Sequence, residues 1–250
     1  MKQFILTPAM GKRIIAKGIA AHPAVQAALK EGTVVIVAGS TNGYVAQEVL
    51  KASGFTGPFE RRGFRRGVVV PPGADMSAHK HPFGGDVVLV KGQCTPGKEI
   101  FDVVDSLMAG DVILKGANAL DMATGQTGLL IGHPMGGTVG AVIPAVIGRR
   151  VQLIVPVGLE KRIFGRLDEI ATELNAPGAE GPRMALLPGK AFTELDAIGL
   201  LTGATARMAA AGGIHGAEGC VWISMTGDVQ QVAAAAELVK SVTGEGVCEV

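Results

Sequence analysis

The chain has 250 residues, 48% of them hydrophobic, which is enough apolar material for one large α/β domain, or for such a domain with a small appended one. Its 23 basic and 22 acidic residues give a net charge of +1, which disfavours nucleic acid and acidic membrane surfaces as partners. Cys94, Cys220 and Cys248 are widely spaced and form no C-x-x-C pair. This favours reduced thiols in a cytoplasm over a disulfide framework.

The N-terminal residues do not have the pattern of a targeting segment. Pro8, Gly11 and Lys12 interrupt the first apolar stretch before a signal-peptide core of about 7 to 15 residues is complete. No stretch of the sequence has the roughly 18 uncharged apolar residues that a membrane span needs. We therefore expect a cytoplasmic protein with no membrane partner.

Apolar strands and helical segments alternate along the chain. Helices are predicted from Pro8, with Thr7 as its cap, and from Pro23. Strands are predicted over 34–38, 68–70, 86–90, 112–115, 129–131 and 152–157, and further helices over 44–52, 99–108, 139–149 and 163–173. Near-continuous runs of β-branched residues are typical of strands covered on both faces. The order predicts an α/β fold with a mostly parallel, Rossmann-like sheet, helices on both faces, and ligands at the carboxyl ends of the strands.

The segment 175–182 contains two prolines and two glycines and breaks both periodicities. It predicts a boundary between a Rossmann-like ligand-binding domain over residues 1–175 and a small C-terminal α/β lobe over 183–250, although the second part would equally complete the main sheet. The lobe is predicted as strand 184–187, a long Ala-rich helix over 194–211, strand 220–225 and helix 229–242. The small side chains of that long helix suit either intrachain packing or a second subunit, and we expect a homo-oligomer.

Two Gly-rich turns follow apolar strands and precede helices. The first consists of Gly39, Ser40, Thr41, Asn42 and Gly43, and the second contains Gly136, Gly137 and Thr138. Backbone N–H groups and the positive end of a helix converge at such turns, which favours binding of a phosphate. Lys91, Lys115 and Lys161 lie at or just past predicted strand ends, and Gly116 and Asn118 complete the proposed phosphate pocket. The alternative is that the glycines only form tight turns and the lysines are solvated.

A resemblance to a known family covers about 130 residues. KGANALD from Lys115 to Asp121 and LLIGHPMGGTVGAV from Leu129 resemble the DGADEVD and LIKGGGGAL patterns of ribose-5-phosphate isomerases. VAGSTNG from Val37 is similar to that family's GTGST turn, and LIVPVGLEKRIFG from Leu153 to its strand-plus-lysine segment. The same layout resembles methylthioribose-1-phosphate isomerase, the regulatory subunits of translation initiation factor 2B and CoA transferases. The resemblance implies their scaffold and a phosphorylated small-molecule ligand.

The residues that would perform isomerisation are mostly replaced. Of the carboxylates in the isomerase pattern only Asp121 remains, while Lys115 and Asn118 occupy two acidic positions. If the chain is an enzyme, Asp121, Lys115 and His133 are its candidate catalytic residues in a proton-transfer isomerisation, with Lys115 acting as an electrostatic clamp or an amine nucleophile. The His-Pro turn at His133 has a structural alternative, capping a backbone carbonyl. A non-catalytic binding or regulatory protein is the alternative function, a CoA-transferase-like enzyme is the third, and no cofactor is expected.

Two further clusters have both functional and structural interpretations. Asp75, His79 and His81, with Cys94, are weak candidates for metal ligands, since a His-x-His spacing on an extended segment points both rings to one side. An exposed loop has the same composition and no second ligand cluster exists, so we predict no metal site. The arginines at 61–66 form either a clamp for phosphate or carboxylate groups or a solvated loop.

Overall fold

The computed structural model describes residues 1–66, 69 and 84–246 of the chain, and strands and helices alternate through them. The strands are β1 (Lys2–Leu6), β2 (Thr33–Ile36), β3 (Val87–Val90), β4 (Gln93–Cys94), β5 (Val112–Leu114), β6 (Ala119–Asp121), β7 (Thr127–Ile131), β8 (Gln152–Pro156), β9 (Arg162–Ile163), β10 (Arg183–Leu187), β11 (Lys190–Phe192), β12 (Thr205–Ala211) and β13 (Val221–Thr226). The helices are α1 (Pro8–Ala21), α2 (Pro23–Glu31), α3 (Ser40–Ala52), α4 (Ile100–Val103), α5 (Gly137–Arg149), α6 (Leu167–Leu174), α7 (Glu194–Thr202) and α8 (Val229–Lys240).

The main sheet has six strands in the order β11-β8-β5-β2-β3-β4. Strands β2, β5, β8 and β11 are parallel, whereas β3 runs antiparallel to β2 and β4 antiparallel to β3. β3 and β4 form a hairpin whose two-residue turn, Lys91 and Gly92, has positive φ at both positions (48° and 76°). Such turns match the right-handed twist of the flanking strands. The main sheet is therefore parallel on one side of β2 and antiparallel on the other.

Two smaller sheets are present in addition to the main one. In the first, β13 lies between β1 and β12 and all pairing is antiparallel. In the second, the order is β10-β7-β6-β9, and only the β6–β9 pair is parallel. β10 follows the segment 175–182 but pairs with β7 before it, and β11 pairs with β8 in the main sheet. Residues after this segment thus extend sheets begun before it, and the division into two domains stays a prediction.

The core surrounds helix α1, which packs against α3 and α7. The side-chain oxygen of Thr7 accepts a hydrogen bond from the backbone N–H of Met10, and Pro8 occupies the first turn, so the helix begins where the sequence predicts. Gly18 allows close approach to α7, because a Cβ there would lie 2.6 Å from the Cβ of Ala197. Ile14, Ile15 and Ile19 are fully buried in this core. Burial of such side chains is the main source of the helix's stability.

The structure confirms the α/β class and corrects several details. The mostly parallel arrangement is not confirmed: among the described strands, six pairs are antiparallel and four are parallel. The predicted long helix over 194–211 was wrong, because α7 ends at Thr202, Gly203 adopts a left-handed conformation (φ 73°), and the Ala-rich remainder forms β12. Helix α3 begins at Ser40 rather than at Tyr44.

Some predictions fall outside the part of the chain that the structure describes. These are residues 68 and 70 of the strand predicted over 68–70, Cys248 and the weak metal-ligand candidates Asp75, His79 and His81; residue 69 is described and is not part of a strand. Within the described residues, no helix combines the length and apolar character needed to cross a lipid bilayer.

Candidate functional site

The carboxyl ends of β2, β5, β8 and β11 lie along one edge of the main sheet because these strands are parallel. β3 is antiparallel to β2 and therefore starts at this same edge. From β2 the main sheet continues to β3 on one side, and from β5 it continues to β8 and β11 on the other. Ligands of open α/β sheets bind in the crevice where the strand order reverses in this way. This rule places the candidate site at the carboxyl ends of β2 and β5, a region called the β2–β5 crevice below.

Asn42 holds the two central strands together at this crevice. Its side-chain Nδ2 donates to the carbonyl oxygen of Val37, just after β2, at 2.7 Å, and to that of Leu114, the last residue of β5, at 2.9 Å. The residue is fully buried, and its Oδ1 has no hydrogen-bond partner within the described residues. The hydroxyl oxygen of its neighbour Thr41, which is 2% exposed, is also without a partner there. Unpaired buried polar atoms are uncommon and call for an explanation.

The first Gly-rich turn forms the N-terminus of α3. Gly39 is the N-cap, and no side chain among the described residues caps the helix. Ser40, Thr41 and Asn42 follow as its first turn, whose backbone N–H groups have no partner within the helix itself. The structure therefore brings Gly39, Ser40, Thr41, Asn42 and Gly43 together at the carboxyl edge, as the sequence predicts. This arrangement favours an anion.

Lys115 follows β5 directly and is only 5% exposed. Its backbone N–H donates to the carbonyl oxygen of Ile154 at 3.2 Å, which fixes the residue beside β8. Burial lowers the pKa of the Lys115 ammonium from 10.5 to about 8; Asp86 opposes this change and Arg66 adds to it. No hydrogen bond or ion pair within the described residues engages its Nζ. Lys115 is thus a buried amine with an appreciable neutral fraction near pH 7.

Asp86 organises the loop that leads into α3, a role the sequence analysis missed. Its fully buried carboxylate accepts from the backbone N–H of Ala38 at 2.8 Å, from that of Ile100 at 2.8 Å, and from Nε and Nη2 of Arg66 at 3.0 and 3.2 Å. Arg66 also pairs with Glu99 at 3.0 Å. Although burial opposes the change, these bonds raise the pKa of Arg66. A single acidic residue immediately before the apolar run VVLV was the available sequence signal.

A second group of charges lies where β8 and β11 end. Lys161 Nζ donates to the carbonyl oxygen of Ala117 at 2.8 Å and so ties the loop after β8 to the loop after β5. Glu194, at the start of α7, accepts from the backbone N–H of Leu159 at 3.0 Å and lies against Gly11 of α1. Burial, with the nearby charge of Glu160, raises the pKa of Glu194 to about 8. Glu194 therefore carries a proton at neutral pH. No pattern in the sequence indicates that this residue is buried.

Other predicted site residues lie elsewhere. Lys91 is in the β3–β4 turn, where its N–H donates to the carbonyl oxygen of Gly32 at the start of β2. Because β3 is antiparallel, Lys91 is at the edge opposite Lys115. Asn118 is engaged with β7: its Oδ1 accepts from the N–H of Leu130 at 3.0 Å, and its N–H donates to Gly128. Gly116 follows Lys115 in the loop after β5 and therefore lies at the same edge as Lys115.

Asp121 and His133 make local contacts rather than contacts with Lys115. The Asp121 carboxylate accepts from the hydroxyl of Thr124 and from the N–H of Ala123, each at 2.8 Å. These bonds, the Thr124 hydroxyl first, lower the pKa of Asp121, which makes it a weak base. His133 is exposed, and its Nδ1 accepts from the N–H of Met135 at 3.1 Å. Gly136, Gly137 and Thr138 form the uncapped N-terminus of α5, which follows β7 of the second sheet.

Within the part of the chain that the structure describes, Cys94, Arg61 and Arg66 add no reactive group to the site. Burial raises the pKa of the Cys94 thiol, which keeps it protonated at neutral pH. Among the described residues, no group of three or more His, Cys, Asp or Glu side chains is placed to hold a metal ion. Arg61 stacks on the Tyr44 ring at 3.9 Å, and Arg66 binds Asp86, so both are structural contacts.

A partly open depression lies between the 122–126 turn and the start of α7. Its lining includes residues of the 122–126 turn together with Lys190, Thr193 and Asp196. The Asp196 carboxylate is already bound to the N–H and hydroxyl of Thr193 in the capping box of α7. Unpaired buried atoms occur near both places: Thr127 Oγ1 lies beside the depression, and Thr41 Oγ1 and Asn42 Oδ1 lie at the β2–β5 crevice. We favour the crevice because it adds Lys115, a buried amine without a partner among the described residues.

Comparisons with protein-family models, curated proteins and solved structures found no match to this chain. The resemblance to sugar-phosphate isomerases therefore stays a hypothesis.

Proposed function

We propose that this chain binds a phosphorylated small molecule, a sugar phosphate or a related metabolite, at the N-terminus of α3 beside Lys115. The observation that carries the proposal is the coincidence of an uncapped helix N-terminus, an unpaired Thr41 hydroxyl and a buried, unpaired ammonium at one sheet edge. Helix N–H groups and a lysine are the common protein ligands of phosphate. Each group left unpaired in the free protein gains a partner when the anion binds.

Proton-transfer isomerisation is the reaction we propose if the chain is catalytic, with Lys115 as the residue that contacts the reacting carbonyl group. An amine with a pKa of about 8 is present in both charged and neutral forms near neutral pH. The non-catalytic alternative is favoured by Asp121, the one carboxylate retained from the isomerase pattern, because its oxygens are occupied by the 121–124 turn. A CoA-transferase would need an ionised glutamate nucleophile. Glu194 at this edge is buried and protonated, so it does not supply one.

Thermal unfolding with D-ribose 5-phosphate and with unphosphorylated D-ribose tests the binding proposal. A ligand at 100 times its dissociation constant stabilises the folded state by about 2.7 kcal/mol, which corresponds to roughly 5 to 10 °C for a chain of this size. We expect stabilisation by the phosphorylated sugar alone, and its loss in Lys115→Met. Thr41→Val should weaken it, whereas Thr172→Val on the exposed face of α6 should leave it unchanged. Equal responses to both sugars would refute a phosphate site.

Exchange of substrate hydrogens with deuterated water separates the enzyme from the binding protein. An isomerase that proceeds through an enediol exchanges the C–H proton next to the carbonyl group, and this exchange is visible by NMR. Binding without exchange would favour the non-catalytic function. The expected cytoplasmic location and homo-oligomeric state rest on sequence composition, and light scattering of the purified chain tests the latter.

A further inference from the structure

Lys115 differs from the other lysine that the structure places at the same sheet edge. Lys161 Nζ donates to the carbonyl oxygen of Ala117, so that lysine has a structural role. Lys115 is 5% exposed and has no hydrogen bond or ion pair from its amine within the described residues. Asp86, the carboxylate whose charge opposes the fall in the pKa of Lys115, is occupied by Arg66 and two backbone N–H groups. No described residue forms a hydrogen bond or ion pair with the Lys115 amine, so the amine is available to a ligand.

The backbone around Lys115 is fixed on both sides. Its own N–H bonds to Ile154 of β8, and the carbonyl oxygen of the preceding residue, Leu114, accepts from both Asn42 Nδ2 and the N–H of Val37. The backbone of Lys115 therefore lies at a strand end that is hydrogen-bonded to Asn42 in the first turn of α3. Rigid strand ends position reactive groups more accurately than flexible loops do.

We propose that Lys115 forms an imine with the carbonyl carbon of a short phosphorylated aldehyde or ketone whose phosphate is held at the N-terminus of α3. This inference rests on the proposed phosphate site and specifies the ligand's second functional group. The Lys115 nitrogen lone pair attacks the carbonyl carbon and forms a C–N bond, while one N–H proton moves to the carbonyl oxygen. The resulting carbinolamine loses its hydroxyl group with the second N–H proton as water and leaves a C=N bond. No oxidant or reductant takes part.

Burial of Lys115 supports this step chemically. Only the neutral amine is nucleophilic, and its pKa of about 8 leaves about one tenth of it neutral at pH 7, against less than about one thousandth for a solvated lysine. The adjacent groups suit the same ligand. Asn42 Oδ1 and Thr41 Oγ1 are unpaired acceptors for hydroxyl groups on the carbon chain between the carbonyl and the phosphate.

Reductive trapping tests the proposal on the full chain. The protein is incubated with D-glyceraldehyde 3-phosphate or with unphosphorylated D-glyceraldehyde, reduced with sodium borohydride, digested and mapped by mass spectrometry. We expect one adduct at Lys115, of the probe mass less water plus two hydrogens. It should form about tenfold more with the phosphorylated probe, the effect of one charge-assisted hydrogen bond. Lys115→Arg should abolish this adduct, and Lys30→Arg, at the exposed end of α2, should not change it.

The outcomes separate this inference from the proposed function. Stabilisation by the phosphorylated probe without a Lys115 adduct would overturn the imine and leave the phosphate site intact. Neither stabilisation nor adduct would overturn both. Equal labelling of Lys115 and Lys30, or equal labelling by the two probes, would show ordinary lysine reactivity and would also overturn the imine. Circular dichroism of Lys115→Arg confirms that the variant is folded, and Lys115→Met provides a second variant if it is not.

Discussion

Replacing Lys115 by methionine should stabilise the protein while it abolishes ligand binding. The two side chains are similar in length, so the substitution removes the buried ammonium with little change in packing. In the folded chain the pKa of Lys115 is about 8, against 10.5 for a solvated lysine. The unfolded chain therefore binds a proton more tightly than the folded chain does, and the charge lowers the free energy of unfolding at neutral pH.

The gain in stability from Lys115→Met depends on pH between about 8 and 10.5. Each unit of pKa difference corresponds to about 1.4 kcal/mol, so Lys115→Met should gain roughly 3 kcal/mol at pH 7. As pH rises through 8 the folded chain loses the proton first, and wild-type stability increases until the unfolded chain also loses it near 10.5. The gain of the variant over the wild type should then shrink to below about 1 kcal/mol at pH 10.

Urea denaturation at pH 7 and pH 10 measures both quantities. Lys161→Met is the matched control: its amine donates to the Ala117 carbonyl, so its removal should cost about 1 to 3 kcal/mol at pH 7 instead of adding stability. If Lys115→Met were less stable than the wild type at pH 7, or if its gain were the same at both pH values, the interpretation of Lys115 as an uncompensated buried charge would be refuted.

Four further substitutions test the surroundings of the site. Asn42→Ala removes the two bonds that join β2 to β5 and should cost roughly 2 to 4 kcal/mol in urea denaturation, whereas Thr41→Val removes only an unpaired hydroxyl and should cost far less. Asp86→Asn leaves Arg66 without its buried partner and should cost about 3 to 5 kcal/mol, and it should lower the pKa of Lys115 further, which the pH dependence of amine labelling measures. In the wild type the free energy of unfolding should fall between pH 4.5 and about 8, because the folded chain still holds the Glu194 proton after the unfolded chain has lost it. Glu194→Gln should abolish this fall. A wild-type stability that stays flat across that window would contradict the assignment.

Local signals in the sequence were sufficient for some elements of this fold. The strand over 34–38 follows from a run of β-branched residues, and α1 from Thr7 and Pro8 at its start. The first Gly-rich turn and Lys115 were correctly predicted to lie at carboxyl strand ends. These features depend on residues close to one another in the chain, which a pattern can register.

Strand direction was the main feature that the patterns did not determine. The apolar run VVLV of β3 looks the same in a parallel and an antiparallel strand, so Lys91 was expected beside Lys115 and lies at the opposite edge. The glycine in the Lys91-Gly92 turn was the available signal for a hairpin. Likewise, the Ala-rich segment 205–211 has high helix propensity, but pairing with β13 outweighs that preference once Gly203 ends α7.

The unpaired groups at the β2–β5 crevice constrain the ligand more narrowly than the glycine motif does. The α3 N–H groups and the protonated form of Lys115 attract a negative charge. The Asn42 and Thr41 oxygens can accept hydrogen bonds. Inorganic phosphate at neutral pH supplies the charge but few donors, and a neutral sugar supplies donors without the charge. A phosphorylated polyol or hydroxycarbonyl compound supplies both in one molecule. Since each unpaired buried group costs the free protein about 1 to 3 kcal/mol, a ligand that pairs all of them recovers that energy as affinity. These groups therefore support our proposal of a hydroxylated phosphate ester as the ligand over either of its parts.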